Sequence, residues 1–335
     1  MSTAGPPQGA KAPLGGRKPH AVGERGGKVT RRPLHGVLLL DKPLGWSSND
    51  ALQKAKWLLR AEKAGHTGTL DPLASGVLPL CFGAATKFSQ LQLDADKTYQ
   101  ARLRLGLRTQ TGDAEGEVIQ ERAVNVNAPL LAAVIEQFTG VIRQVPPMHS
   151  ALKKDGRALY HYARAGIEVE REAREVRIFD LAATLVQETG QRPLVELKVR
   201  CSKGTYIRSL AEDIGEALGC GAHLSALRRI ESGGFSVSQC MTLEALEAIA
   251  EEDRKNCLLP VDALLKHHLP ISLDADNAGR FLSGLRRRGD WSDAPNVAVY
   301  AEAPRTLLGS GHVTAGELIP KRLLSPIEIE QMNRL

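Results

Sequence analysis

The sequence predicts an α+β fold, a mostly antiparallel mixed sheet flanked by helices with a small β-rich module behind it. Three observations support this reading. The strand-like segments are joined by turns more often than by regular helical crossovers, which disfavours a purely parallel sheet. Segments with apolar residues at helical spacing fall between them. After Pro260 and Pro270 the composition resets to short strands separated by turns. With 335 residues and 42% hydrophobic content, the chain can form one large domain, residues 33–270, and a smaller one, residues 271–325.

Residues 1–32 are rich in Gly, Pro, Lys and Arg and nearly free of large apolar side chains. They cannot bury enough surface to offset the entropy of ordering, so a disordered basic tail is expected. Order begins at His35–Leu40, a short apolar run that reads as a buried strand. Asp41-Lys42-Pro43-Leu44-Gly45 turns the chain, and Ser47 or Ser48 caps a helix carrying Ala51, Ala55, Leu58 and Leu59. Residues 65–80 combine three glycines and two prolines with small side chains, and neither a helical nor a strand period accounts for all of them. Within this stretch Asp71-Pro72 has the signature of a helix start, aspartate as N-cap and proline as first helical residue.

Lys97–Leu105 alternates as a strand, Thr109–Gly116 is turn chemistry, and Glu117-Val118-Ile119 starts another strand. Pro129–Gly140 is predicted helical with Leu130, Val134, Ile135 and Phe138 on one face. Leu194–Val199 alternates again, and a glycine-bearing turn at Ser202–Thr205 delivers a helix from about Tyr206 to Leu218. That places Tyr206 and Arg208 at a helix entrance. Thr242 caps a further helix through Ala250. Val297–Tyr300, Leu307–Gly309 and Gly311–Val313 read as the short strands of the smaller module.

Composition narrows the function classes. A formal net charge of +6 is compatible with a polyanionic partner. Five scattered cysteines without a CxxC pair argue against a disulfide framework and a zinc site, and fit a reducing cytoplasm. No apolar run approaches the ~20 residues needed to cross a bilayer, so no membrane partner is expected. From about residue 146 to 177, Lys153, Lys154, Arg157, Arg164, Arg171, Arg174 and Arg177 are interleaved with Tyr160, His161 and Tyr162. Such a mixture suits a nucleic-acid backbone and its bases. It also suits a solvated face, since Glu168, Glu170, Glu172 and Glu175 dilute the charge.

Gly65–Leu80, continued by Ala84-Ala85-Thr86-Lys87, together with Asp41-Lys42-Pro43, Thr109–Gly116 and Ser202–Arg208, resembles the TruB family of tRNA pseudouridine synthases. The match runs in order from residue 34 to about 250. It implies an isomerase that converts uridine 55 of the tRNA T-loop to pseudouridine, without cofactor or metal, on the pseudouridine synthase fold. It further implies that residues 271–325 are similar to a PUA domain, a module expected to contact the acceptor stem, and that the 146–177 insertion closes on the tRNA. A cytoplasmic monomer is expected.

The same resemblance assigns roles. Asp71 matches the catalytic aspartate, Arg208 its arginine partner and Asp113 the acid that helps to hold that arginine; an adjacent positive charge favours an ionised carboxylate. His66, Tyr99, Tyr206, Leu227 and Lys42 match substrate-binding positions, with Tyr99 stacking on the extruded base, His66 filling the space left in the T-loop, and Lys42 with Pro43 bracing the wall. The carboxylate acts as nucleophile at the sugar carbon or as base at C2′, and the sequence leaves both open. A guide-RNA-dependent enzyme of the dyskerin branch is a second reading, disfavoured by the uninterrupted His66–Asp71 run. An RNA-folding module is a third. The presence of Asp71, Arg208 and Asp113 speaks against lost chemistry but leaves room for an added tRNA-chaperone role.

Overall fold

The computed structural model describes residues 30–187 and 192–334, and Arg31–Leu335 form one compact unit. The expected basic tail lies outside the described residues up to position 29. Arg32 is already anchored, its amide donating to Arg60 O at 2.8 Å. Strand β1 (Gly36–Lys42) follows, then helix α1 (Ser48–Leu58), whose N-cap Ser47 accepts the Asp50 amide as its sequence predicts. The short β2 (Ala64–His66) leads through the glycine-rich loop to β3 (Ala74–Phe82), and α2 (Ser89–Leu93) precedes β4 (Lys97–Leu105). A ribbon of β5 (Leu107–Thr109) and β6 (Val118–Glu121) flanks the turn at Asp113.

Helix α3 (Ala128–Gln137) buries Leu131, Val134 and Ile135, whereas Leu130 is 39% exposed. Val134, Ile135 and Phe138 of the predicted face pack against the core, and Leu131 takes the place of Leu130. Then come β7 (Gly140–Gln144), the hairpin of β8 (Lys153–Lys154) and β9 (Arg157–Ala158), α4 (Leu159–Arg164), β10 (Arg174–Val186) and β11 (Leu194–Cys201). Helix α5 (Ile207–Ala217), β12 (Ala222–Ser232), β13 (Phe235–Ser236) and α6 (Leu243–Ala248) complete this part.

The main sheet has the order β1-β3-β12-β4-β11-β10-β7, with β2 added to β3 and β13 to β12. Every pairing is antiparallel except β3 with β12, so the sheet is mixed and the fold α+β, as expected. On one face of β4, Ala101, Leu103 and Leu105 pack with Leu210 and Ile214 of α5, while Gln100 and Arg102 on the other face are exposed. β12 lies at the centre, yet its sequence does not read as a strand. Bulges at Leu224/Ala226 and Arg229/Glu231 interrupt the two-residue alternation on which strand recognition depends.

The C-terminal part is a second sheet, β14 (Leu269–Leu273), β15 (Arg287–Arg288), β16 (Ala294–Ala301), β17 (Thr306–Thr314) and β18 (Glu317–Leu323), in the order β14-β16-β17-β18-β15, with α7 (Ala275–Leu282) and α8 (Pro326–Asn333). The segments Leu307–Gly309 and Gly311–Val313 are one strand, since Gly309 and Gly311 pair with Leu323 and Pro320. This sheet has a small core of its own but also shares one with the main sheet, where Ala298, Tyr300, Leu307 and Leu324 pack with Val37, Leu39 and Val77. Lys87 Nζ reaches Glu328 at 2.6 Å, and the Tyr300 hydroxyl donates to Asp262 at 3.2 Å. Among the described residues no helix is long and apolar enough to cross a membrane.

Candidate active site

The glycine-rich loop is fastened from several sides. Thr67 N donates to Pro79 O at 3.1 Å, and Gly68 turns the chain with φ +90°. The Ser48 hydroxyl at the start of α1 accepts the Leu70 amide at 2.7 Å and donates to Leu70 O at 3.0 Å. Gly45 N donates to Pro72 O at 2.8 Å. Asp71 therefore stands on a rigid support, but it caps no helix. Asp71–Ala74 is a turn closed by Ala74 N donating to Asp71 O at 3.0 Å, with Pro72 second in the turn. The chain then enters β3, which pairs on both edges, and that ladder overrides the local helix-start signal.

Arg208 lies in the first turn of α5 and is 5% exposed. Its Nη2 stands 2.9 Å from Asp71 Oδ2 and donates to His149 O at 2.7 Å. Its Nε lies 3.7 Å from Oδ2 of Asp113, itself 3% exposed. Asp113 is held by the Thr111 hydroxyl at 2.6 Å and the Glu115 amide at 3.1 Å. The three residues that the sequence singles out for catalysis thus form one ion-paired row from core to surface. The buried Asp113 balances Arg208, and the Asp71 side chain, ion-paired through Oδ2, is 42% exposed at the other end of the row.

A cavity of about 330 Å³ opens beside Asp71. Tyr99, Tyr206, Leu227 and Arg208 all line it. Tyr206 is oriented by the Gln144 side-chain amide, which accepts its N–H at 3.1 Å and donates to its carbonyl at 3.3 Å. Burial pushes the hydroxyls of Tyr99 and Tyr206 above the ordinary tyrosine range. Two of the expected substrate contacts are not among the lining residues. Lys42 is fully buried, its ammonium donating to Pro43 O at 2.9 Å and Trp46 O at 2.5 Å, and burial lowers its pKa to about 8. It braces the turn that carries Gly45 to the loop. His66 sits on β2 with its buried Nδ1 unpartnered among the described residues, and burial followed by the charge of Arg229 pushes its pKa down.

Four further groups shape the site without having stood out in the sequence: Gln144, Glu115, Lys97 and Arg229. Glu115 has its carboxyl pushed up by burial and by the charges of Asp113 and Asp71. Consecutive Arg228 and Arg229 are a usable signal once β12 is known, because neighbours on a strand face opposite sides and one arginine must turn inward. Lys97 lines the cavity and donates to the carbonyls of Gln92, Leu93 and Ala95 at 3.2, 2.8 and 2.5 Å. Burial, then the charge of Arg229, lowers its pKa from 10.5 to about 8.

Between these pH values the unfolded chain holds a proton that the folded chain has released, so Lys97 makes folding more favourable as pH rises through that window. In urea titrations, the stability of wild type relative to Lys97→Met is expected to increase between pH 8 and 10. Parallel pH profiles for the two proteins would contradict this.

On the insertion, Lys153, Lys154, Arg157 and Arg164 are exposed. The Arg157 and Arg164 guanidiniums lie 5.2 and 5.5 Å from the ring centres of Tyr162 and Tyr160, an arrangement that offers charge and flat surfaces together.

Comparison with known proteins matches residues 56–207 to the TruB family pseudouridylate synthase N-terminal domain. Residues 208–266 match the tRNA pseudouridylate synthase B C-terminal domain, and residues 270–324 the C-terminal region of pseudouridine synthase II TruB. The chain is 64% identical over 308 residues to tRNA pseudouridine synthase B of Verminephrobacter eiseniae, covering 91% of this chain and 93% of that protein. It is 58% identical over 306 residues to tRNA pseudouridine synthase B of Ralstonia pickettii, with coverage of 89% and 96%. Among solved structures it is similar to a chain of a Cbf5-Nop10-Gar1 complex, with TM-score 0.65 and 28% identity over 88% of this chain and 87% of that one. A chain of an H/ACA RNP bound to a substrate RNA containing 2′-deoxyuridine gives TM-score 0.63 and 26% identity, with coverage of 87% and 86%.

Proposed function

Because the chain belongs to the TruB family of pseudouridylate synthases, we propose that it isomerises uridine 55 in the T-loop of tRNA, with Asp71 as the reacting carboxylate. The observation that carries the assignment is the Asp71 carboxylate, paired at 2.9 Å with a buried arginine and half open to the cavity. The glycosidic bond to N1 breaks, the uracil turns, and C5 joins the same sugar carbon. Asp71 is placed to attack that carbon or to take the C2′ proton. A stacked base cannot reach this cavity, so the uridine must leave the T-loop. Tyr99, Tyr206 and Leu227 then surround it, Arg208 and Asp113 hold Asp71 in place, Lys42 braces the wall, and the half-buried His66 fills the space left in the T-loop.

The T-arm lies along the exposed cations of the insertion, and the acceptor stem reaches the C-terminal sheet. One chain supplies every side chain invoked, so a monomer acting in the cytoplasm suffices. Identity of 64% to a tRNA enzyme against 28% to a chain of a multi-subunit complex favours a stand-alone tRNA enzyme.

Purified protein and an unmodified T-arm transcript, with no guide RNA, are expected to yield pseudouridine, read by mass-labelled or chemical mapping of the product. Affinity should fall steeply with salt, each phosphate contact adding about 0.7 to 0.9 to the log–log slope. An unconverted transcript would refute the activity, and a flat salt response the role of the insertion.

A further inference from the structure

The residue least explained by the site as described is Arg229. It is 1% exposed, on β12 opposite Tyr99 of β4, with its side chain against the cavity. Its Nε donates to Val77 O at 2.7 Å and its Nη2 to Gly68 O at 3.2 Å, both neutral acceptors. Among the described residues it makes no ion pair. The neighbouring arginines differ in this respect: Arg228 has Asp41 at 2.6 Å, and Arg208 has Asp71 and Asp113. A guanidinium buried this deeply loses its hydration, and hydrogen bonds to carbonyls compensate only part of its charge. The backbone is built to bring it there. Gly76, paired with Arg229 in the parallel ladder, has φ +104°, and a Cβ on it would lie 2.1 Å from Arg229 O.

We propose that Arg229 supplies the fixed positive charge that stabilises the uracil ring as it becomes anionic during the isomerisation. The inference rests on the pseudouridine synthase reading above. When the C1′–N1 bond breaks, its electron pair leaves with the base, and the negative charge spreads from N1 to O2 and O4. By the nucleophilic route Asp71 bonds to C1′ as N1 departs. By the other route it takes the C2′ proton and N1 departs from the resulting anion. Either route yields the same uracil anion. C5 then bonds to C1′, on the first route as the Asp71–C1′ bond breaks and on the second as Asp71 returns its proton to C2′; the C5 proton is lost and N1 is protonated.

Asp71 and Glu115 bring negative charge to this region, so a cation must come from elsewhere. Arg208 is already compensated, and Lys97, the other cation on the cavity without an ion pair among the described residues, has its three N–H donors committed to the carbonyls of Gln92, Leu93 and Ala95. Arg229 is held by Val77 and Gly68 before the base arrives, and a preorganised charge of this kind acts without reorganisation during the reaction.

The test is single-turnover conversion of a T-arm transcript under saturating enzyme. Arg229→Gln keeps amide donors but loses the charge; its rate is expected to fall at least ~100-fold, with transcript affinity nearly unchanged. Arg229→Lys keeps the charge and loses the fork; its rate is expected to stay within about tenfold of wild type. A residue that merely pins Gly68 would give similar losses in both variants. That outcome, or a Gln variant within about tenfold of wild type, overturns the proposal.

Should Arg229→Gln fail to fold, a second measurement leaves Arg229 intact. A transcript with 6-azauridine at the target position is bound to Asp71→Asn, and deprotonation of the analogue ring is followed by absorbance. A pKa below that of the free transcript is expected, and an equal or higher value overturns the proposal. Wild-type conversion of ordinary uridine in the same assay separates the two ideas: an inactive wild type sinks the functional reading, and the 6-azauridine titration still decides the charge.

Discussion

Asp71→Asn is expected to lose pseudouridine formation by about 10⁴-fold or more, the scale for removing a group that makes or breaks covalent bonds. The change keeps size and shape, and Ser48, Gly45 and Pro79 continue to fasten the loop, so stability and transcript affinity should hold within a factor of a few. Single-turnover assays and filter binding on one preparation separate these quantities. Turnover above about a thousandth of wild type would move the chemistry to another acid, with Glu115 the next candidate because it feels the charges of both Asp113 and Asp71. The same variant tests whether the protein also helps tRNA to fold: rescue of a misfolded transcript equal to wild type would assign that role to binding alone.

Arg208→Met is expected to impair activity and stability together. Activity should drop by ~10² to 10³, because Asp71 loses the partner that orients it. Stability should fall by about 3 kcal/mol, because Asp113 stays buried without its cation while keeping only the Thr111 and Glu115 hydrogen bonds. The double variant Arg208→Met with Asp113→Asn removes the orphaned charge. It should recover much of the stability and none of the activity, a non-additivity that thermal unfolding and single-turnover rates measure directly. Recovery of both would show that Arg208 acts only through folding.

The parts of this fold that were legible in the sequence are those in which local chemistry and tertiary need agree. Lys97–Leu105 alternates because one face is core and the other solvent, and the observed strand has those bounds. Ser47, Thr242 and the turn before Tyr206 mark real helix ends. Legibility failed where long-range pairing decides. Asp71-Pro72 carries a helix-start signature and forms a turn, because β3 must enter the sheet within two residues.

The site divides in the same way. Asp71, Arg208 and Asp113 come from separate motifs recognisable by resemblance, and the structure brings them into one row. Lys42, expected as a substrate contact, is enclosed because its strand is buried on both sides. Arg229 was invisible, since its strand is broken by bulges and a buried arginine without a carboxylate leaves no sequence mark.

The core shared by Val37, Leu39 and Val77 with Tyr300, Leu307 and Leu324 has a consequence for how RNA is selected. Two sheets joined by common side chains cannot swing apart without exposing apolar surface, so the cavity and the far edge of the C-terminal sheet keep a constant separation and angle. An RNA that touches both is tested as by a fixed caliper. For a tRNA seated as proposed, with its loop at the cavity and its stem end on the C-terminal sheet, discrimination would rest on the distance from loop to stem end, which every folded tRNA shares whatever its sequence.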